Sequence, residues 1–99
     1  MDATDKDIVF LDDIVDIPGR FMRDFKGFDA MTAGVHNKGY IQLYLIKKDD
    51  PKTRFMIWNH PAEGSQDRLM QQAREYLHDS VLIEMYLAGY LIMRGLPHV

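Results

Sequence analysis

The chain has 99 residues, of which 46% are hydrophobic and 27% are charged, and a formal net charge of −3. This length predicts a single domain covering residues 1–99. The net charge gives the whole chain no attraction to nucleic acid or to an anionic membrane. The absence of cysteine excludes disulfides and thiolate chemistry. The N-terminus has neither the basic start nor the apolar core of a signal peptide, so a cytoplasmic location is the default expectation.

Residues 1–17 form an acidic N-terminal segment, with six aspartates against one lysine. Within it, residues 8–11 are a short apolar run that predicts an edge strand. Residues 20–27 then predict a short helical turn that ends at Gly27. Two interpretations of the acidic segment stay open: a solvated terminus with a hydrophobic anchor, or an acidic arm that docks on a basic partner.

Residues 28–36 and 40–48 predict a β-hairpin. The three residues between them fit a hairpin loop in which Gly39 takes the left-handed conformation. Pairing His36 with Tyr40 gives a register that places apolar side chains together on one face. In this register Val35 lies opposite Ile41, Ala33 opposite Leu43, Met31 opposite Leu45, and Asp29 opposite Lys47.

A third strand is predicted over residues 53–60, where aromatic and β-branched residues follow a turn. The length of the turn leaves the parity of this strand open, so either Phe55 and Ile57 or Met56 and Trp58 face the core. The fold class predicted is α+β. It combines a three-stranded antiparallel meander, a short N-terminal strand or helical turn, and a long C-terminal helix.

That helix is predicted over residues 65–94, with Ser65 as its N-cap. Thirty residues would span about 45 Å, longer than a compact chain of this size permits. The helix must therefore kink, divide or protrude, and Asp79 and Ser80 mark the expected break. The predicted core-facing residues recur at steps of four and three: Leu69, Ala73, Tyr76, Ser80, Ile83, Leu87 and Tyr90.

Residues 81–93 are apolar nearly all round, with Glu84 as their one charge. A helix of this kind is buried on most sides, yet the run is shorter than the roughly twenty residues of a membrane span. A small chain has little core to surround it, so we expect a subunit or partner interface; an ordinary core helix is the alternative. The predicted interface residues are Glu84, Met85, Tyr86, Leu87, Tyr90 and Met93.

The sheet face opposite the helix suggests an alternative binding surface. Aromatic side chains beside basic ones on an exposed sheet could stack single-stranded bases. The same face could instead bind protein or be covered by the N-terminal segment. The residues of this alternative surface are Tyr40, Tyr44, Arg54 and Trp58.

No catalytic or metal-binding pattern is found in the sequence. His36 and His60 fall on outer strands whose backbones would lie nearly 10 Å apart across the middle strand. No glycine-rich phosphate loop and no nucleophile elbow are present. We therefore expect no catalytic residue, no metal and no cofactor.

Together these patterns predict a small, non-catalytic protein–protein interaction protein, either an inhibitor or a regulatory subunit, that occupies a partner's surface. A homodimer is the expected oligomer, and no membrane association is expected. Inhibitors of host defence from phages or mobile elements are similar in size, an analogy of size only. The alternative function is a nucleic-acid-binding module that uses the aromatic and basic sheet face.

Overall fold

The computed structural model describes residues 7–93 of the chain. They form an antiparallel sheet of five strands and two helices, so the α+β class is confirmed. The fifth, fourth and third strands lie side by side, and the first two strands both pair with the third. The elements are β1 (Ile8–Phe10), β2 (Val15–Asp16), β3 (Ala30–His36), β4 (Tyr40–Lys47), β5 (Asp50–Pro61), α1 (Gln66–Leu77) and α2 (Ser80–Met93).

Strands β3 and β4 form a hairpin with the register expected from the sequence, in which Val35 lies opposite Ile41. Gly39 has a φ of 93° in the loop, a conformation that glycine adopts without a steric cost. The register ends at Ala30, so Asp29 does not pair with Lys47 across the ladder. The Asp29 carboxylate instead accepts a hydrogen bond of 2.8 Å from the backbone N–H of Lys48.

The N-terminal segment extends the sheet beyond the predicted three strands. Strands β1 and β2 lie in the plane of the sheet along the outer edge of β3, and they do not form a separate covering layer. A 3-10 turn at Gly19–Phe21 and further turns to Gly27 occupy the predicted helical turn. Residues 1–6 of the predicted acidic segment lie outside the described residues.

Strand β5 contains a β-bulge, so neither predicted parity holds along the whole strand. Phe55 and Ile57 lie on the helix side, as one parity predicts, but Trp58 lies there too, and Met56 does not. Trp58 lies opposite Leu43 while Met56 lies opposite Tyr44, so Ile57 is an extra residue between two neighbouring pairs. The bulge places two consecutive side chains, Ile57 and Trp58, in the same core.

The predicted C-terminal helix is divided into α1 and α2 at His78 and Asp79. Ser65 caps α1 as expected, because its hydroxyl accepts a hydrogen bond from the N–H of Arg68. Asp79 then caps α2, since its Oδ1 accepts hydrogen bonds of 3.1 and 3.2 Å from the N–H groups of Val81 and Leu82. The predicted last helical residue, 94, lies outside the described residues.

The main core lies between one face of the sheet and the two helices, where α1 covers β3 and β4 and α2 lies against β5. Each helix buries residues that are four apart. The break between the helices interrupts the single stripe that was predicted for one long helix. Ser80 is exposed, and Tyr76 and Tyr90 are half-buried. The buried helical residues are Leu69, Ala73 and Leu77 in α1, and Ile83, Leu87 and Leu91 in α2.

Candidate protein-interaction surface

The inner side of α2 belongs to the core. Ile83, Leu87 and Leu91 are almost completely buried against the sheet and the N-terminal turns. Leu87, predicted as an interface residue, therefore packs inside the chain. Full burial of a leucine side chain contributes about 1.5–3 kcal/mol of transfer free energy to folding.

Two tyrosines hold the flank of α2 that faces β5. Tyr86 stacks on Trp58 with ring centroids 4.4 Å apart and an interplanar angle of 22°. Burial raises the pKa of Tyr86 above its ordinary value, and the neighbouring Tyr76 and Asp79 add to the rise. Tyr90 contacts Phe55 edge-on, with ring centroids 5.8 Å apart. Both tyrosines are half-buried and anchor α2 to the sheet.

The outer side of α2 exposes a row of apolar side chains. The exposed fractions are 68% for Val81, 61% for Met85 and 59% for Ile92. Ala88, which is half-buried and packs partly against the core, completes the row. The four members recur at steps of four, three and four and so share one helical face. We call Val81, Met85, Ala88 and Ile92 the α2 stripe.

An ion pair borders the α2 stripe on one side. Nε of Arg20 lies 3.2 Å from Oε1 of Glu84, and both side chains are partly exposed. The guanidinium of Arg20 also lies 4.5 Å from the centre of the Phe21 ring. A shallow groove runs between this pair and the stripe, and Ser80 lines its end. An exposed pair of this kind contributes at most about 1 kcal/mol, so its main effect here is to balance the one charge on α2.

The structure divides the six predicted interface residues among four environments. Met85 and Met93 are exposed, and Glu84 lies at the border of the stripe. Leu87 is in the core, and the two tyrosines are half-buried anchors.

Sequence reasoning missed Val81 and Ile92. Both point roughly away from the buried Ile83. This can be read from the sequence only after the buried side of α2 is known, because residues two or nine apart on a helix point in nearly opposite directions.

The four residues of the alternative sheet-face surface do not lie together. The bulge in β5 turns Trp58 toward the helices, where it contacts Tyr76 and Tyr86. Tyr44 points to the other face but is buried, with its ring edge-on to Phe10 at 5.1 Å. Stacking with bases requires aromatic faces that are open to solvent. Tyr44 and Trp58 cannot form such a platform together.

Side chains from β1 reach over the sheet face that carries Tyr44. Arg54 places its guanidinium 4.1 Å from the centre of the Phe10 ring. A Cβ atom on Gly34 would lie 2.9 Å from Cγ2 of Ile8 and 3.2 Å from Cδ1 of Phe10. Glycine at this position therefore leaves the space through which Phe10 reaches Tyr44. Tyr40 lies at the hairpin end of the same face, with its ring edge-on to that of His36.

The two strand histidines lie at the same end of the sheet but have different partners. Nδ1 of His36 accepts a hydrogen bond of 3.1 Å from the N–H of Lys38. The ring of His60 stacks on Trp58 at 5.0 Å. Among residues 7–93, no group of three histidine, cysteine, aspartate or glutamate side chains is placed to hold a metal ion.

Asp13 links the N-terminal edge of the sheet to the end of α1. Its carboxylate lies 2.7 Å from Nε2 of His78 and 3.3 Å from Nε of Arg74. The hydrogen bond with His78, followed by the interactions with Arg74, holds the pKa of Asp13 below its ordinary value against the opposing effect of burial. The backbone carbonyl of Asp13 also accepts a 2.8 Å hydrogen bond from the hydroxyl of Thr32. This cluster fixes the junction between α1 and α2 to the sheet edge.

Comparison with protein-family models, with curated proteins and with solved structures found no match to this chain. Within residues 7–93, no helix combines the length and the apolar character that a membrane crossing requires.

Proposed function

We propose that this chain is a small, non-catalytic interaction protein that acts as an inhibitor or regulatory subunit by occupying the surface of another protein. The α2 stripe is the proposed contact surface. The observation that carries the proposal is the exposure of Val81, Met85 and Ile92 on one side of a helix whose other side is firmly packed.

The energetics of the α2 stripe support this proposal. Burying an exposed valine, methionine or isoleucine side chain yields about 1.5–3 kcal/mol each. Contiguous exposed apolar side chains with a polar border are typical of interaction sites. A helix face of this kind fits an apolar groove or another helix, because residues at steps of four and three enter such surfaces together.

The experiment is affinity capture from a lysate of the native host, with the full chain as bait. Met85→Lys should abolish capture, because it places a charge in the middle of the α2 stripe. Met56→Lys is the matched control, since Met56 is also an exposed methionine but lies on the sheet. Lysine is a good helix former at position 85, and position 56 is an exposed strand position where a polar side chain is tolerated, so circular dichroism should show both variants folded. Capture that survives Met85→Lys, or that both variants lose equally, would contradict the proposal.

A nucleic-acid-binding function has less support. The net charge of −3 opposes attraction to phosphates, and Trp58 is turned away from the face that carries Arg54. Titration of labelled single-stranded DNA and RNA at low salt tests this alternative. Binding that weakens steeply with added salt would favour it over the protein-binding function.

A further inference from the structure

We propose that the α2 stripe binds the α2 stripe of a second copy of this chain, with the two helices antiparallel. The two-fold axis that relates the copies would be perpendicular to α2 and level with the point between residues 86 and 87. This inference rests on the proposed function, because it takes the stripe to be a protein-binding surface. It names a second copy as the occupant of the stripe when no other protein is bound.

The spacing of the stripe is self-complementary in the antiparallel direction. When Met85 of one copy lies opposite Ala88 of the other, Val81 falls opposite Ile92. The two-fold axis generates each contact twice, because in an isologous interface a contact from the first copy to the second is repeated from the second copy to the first. At each Met85–Ala88 contact, the large side chain of one copy meets the small one of the other, so a ridge faces a groove there. At the two ends of the stripe, Val81 meets Ile92.

A parallel arrangement lacks this fit. It would set Met85 against Met85 and Ala88 against Ala88, which crowds one turn and leaves a gap at the next. Gly89 lies beside Ala88, and a Cβ atom added to it would meet nothing within 4 Å apart from its chain neighbours and the backbone of its own helix. The backbone is therefore accessible at the position where the antiparallel arrangement brings the methionine of the other copy.

The charges around the stripe also fit a second copy. Glu84 is the one charged residue of α2 within Ser80–Met93, and Arg20 pairs with it. Two copies thus meet without an unbalanced buried charge, which would cost several kcal/mol. A two-fold axis through the contact places Arg20 and Glu84 of both copies on the same side, and each Glu84 keeps Arg20 of its own chain as counter-charge.

The size of the contact sets the expected affinity. Fourteen helical residues are about 21 Å long, and packed helices lie about 8–10 Å apart. One pair of such helices buries less than the roughly 800 Å² per partner of a standard stable interface. Contacts below the standard size are typical of weak, transient association, so we expect the dimer to dissociate reversibly at concentrations on the order of micromolar.

Sedimentation equilibrium of the full chain across that concentration range tests self-association. The mass should rise from one chain to two for the wild type and for Met56→Lys, and it should stay at one chain for Met85→Lys. A wild-type chain that remains monomeric throughout, or a dimer that Met85→Lys leaves intact, overturns the proposal.

The register can be tested with introduced cysteines, because the natural chain has none. In the antiparallel register the two copies of residue 88 lie about 4.5 Å apart along the helix axis, which brings their Cα atoms within disulfide range for closely packed helices. Ala88→Cys should cross-link under oxidising conditions. The two copies of residue 81 lie about 16 Å apart, so Val81→Cys and Ile92→Cys should each fail alone and cross-link when mixed. Cross-linking of Val81→Cys alone, as fast as in the mixture, would contradict the antiparallel register.

The two proposals can fail separately. A monomeric chain whose capture of another protein is lost with Met85→Lys would reject self-pairing and leave the proposed function standing. A stripe-dependent dimer, together with capture that Met85→Lys does not change, would support self-pairing and reject the proposed function. Because self-pairing covers the stripe, the cross-linked Ala88→Cys dimer should capture no other protein until it is reduced.

Discussion

Leu87 and Met85 are two residues apart on α2, and they lie in opposite environments. Leu87 is completely buried, whereas Met85 is mostly exposed. We expect Leu87→Ala to lower the free energy of unfolding by about 2–5 kcal/mol, because it leaves a cavity in the core. Met85→Ala should change the stability of the monomer by no more than about 0.5 kcal/mol. Urea denaturation in dilute solution, followed by the fluorescence of the single tryptophan, measures both. Equal effects of the two substitutions would show that this orientation of α2 is wrong.

At the same scale, the pKa of Asp13 predicts how stability depends on pH. A carboxyl group whose pKa is lower in the folded than in the unfolded chain stabilises the fold above the unfolded-state value of about 3.9. This stabilisation is lost as the pH falls through the lower, folded-state pKa. Asp13→Asn should therefore reduce the urea midpoint at about pH 7 and reduce it progressively less as the pH approaches 3.

The control for Asp13 is Asp12→Asn, which makes the same change in net charge at an exposed neighbouring position. It should leave the urea midpoint nearly unchanged at both pH values. A loss of stability in both variants at neutral pH would assign the effect to net charge and not to the contacts with His78 and Arg74.

At the scale of elements, the sequence predicts a structure where neighbouring residues alone determine it. The β3–β4 hairpin could be predicted to the register, because its loop glycine and its alternating side chains point to the same pairing. The bulge at Ile57 could not be predicted, because an extra residue in a strand changes the parity of every later side chain and has no distinct sequence pattern. That one residue decides whether Trp58 faces the helices or the opposite side of the sheet.

The division between α1 and α2 leads to a prediction for the cap of α2. Removing the side-chain oxygen with Asp79→Ala leaves the N–H groups of Val81 and Leu82 without their acceptor. The expected loss is about 1 kcal/mol of unfolding free energy. Asp79→Asn is the control and should retain most of the stability, because asparagine also caps helices well. If both substitutions cost the same, the charge of Asp79 and not its capping bond would be responsible.

At the scale of the whole molecule, the sequence predicted that α2 carries more apolar surface than a small chain can bury. It could not predict which side is exposed, because the run 81–93 is apolar all round and has no polar face to mark the solvent side. The orientation follows from contacts with distant residues. Trp58, Phe25 and Phe55 hold Tyr86 and Tyr90, and these contacts leave the opposite side of α2 outward.

One main core joins the N-terminal segment, the sheet and both helices, and this predicts one cooperative unfolding transition. Leu11 and Phe25 from the N-terminal segment lie in the same buried cluster as Leu43 of the sheet, Ala73 of α1 and Leu87 of α2. Small domains with such a shared core usually unfold without populated intermediates. Far-ultraviolet circular dichroism and Trp58 fluorescence should therefore give the same urea midpoint. Trp58 of β5 stacks on Tyr86 of α2, so a fluorescence midpoint at lower urea than the circular dichroism midpoint would mean that α2 detaches first. Such early detachment would separate α2 from the cooperative core. It would also make the stripe part of a mobile element and not a preformed surface.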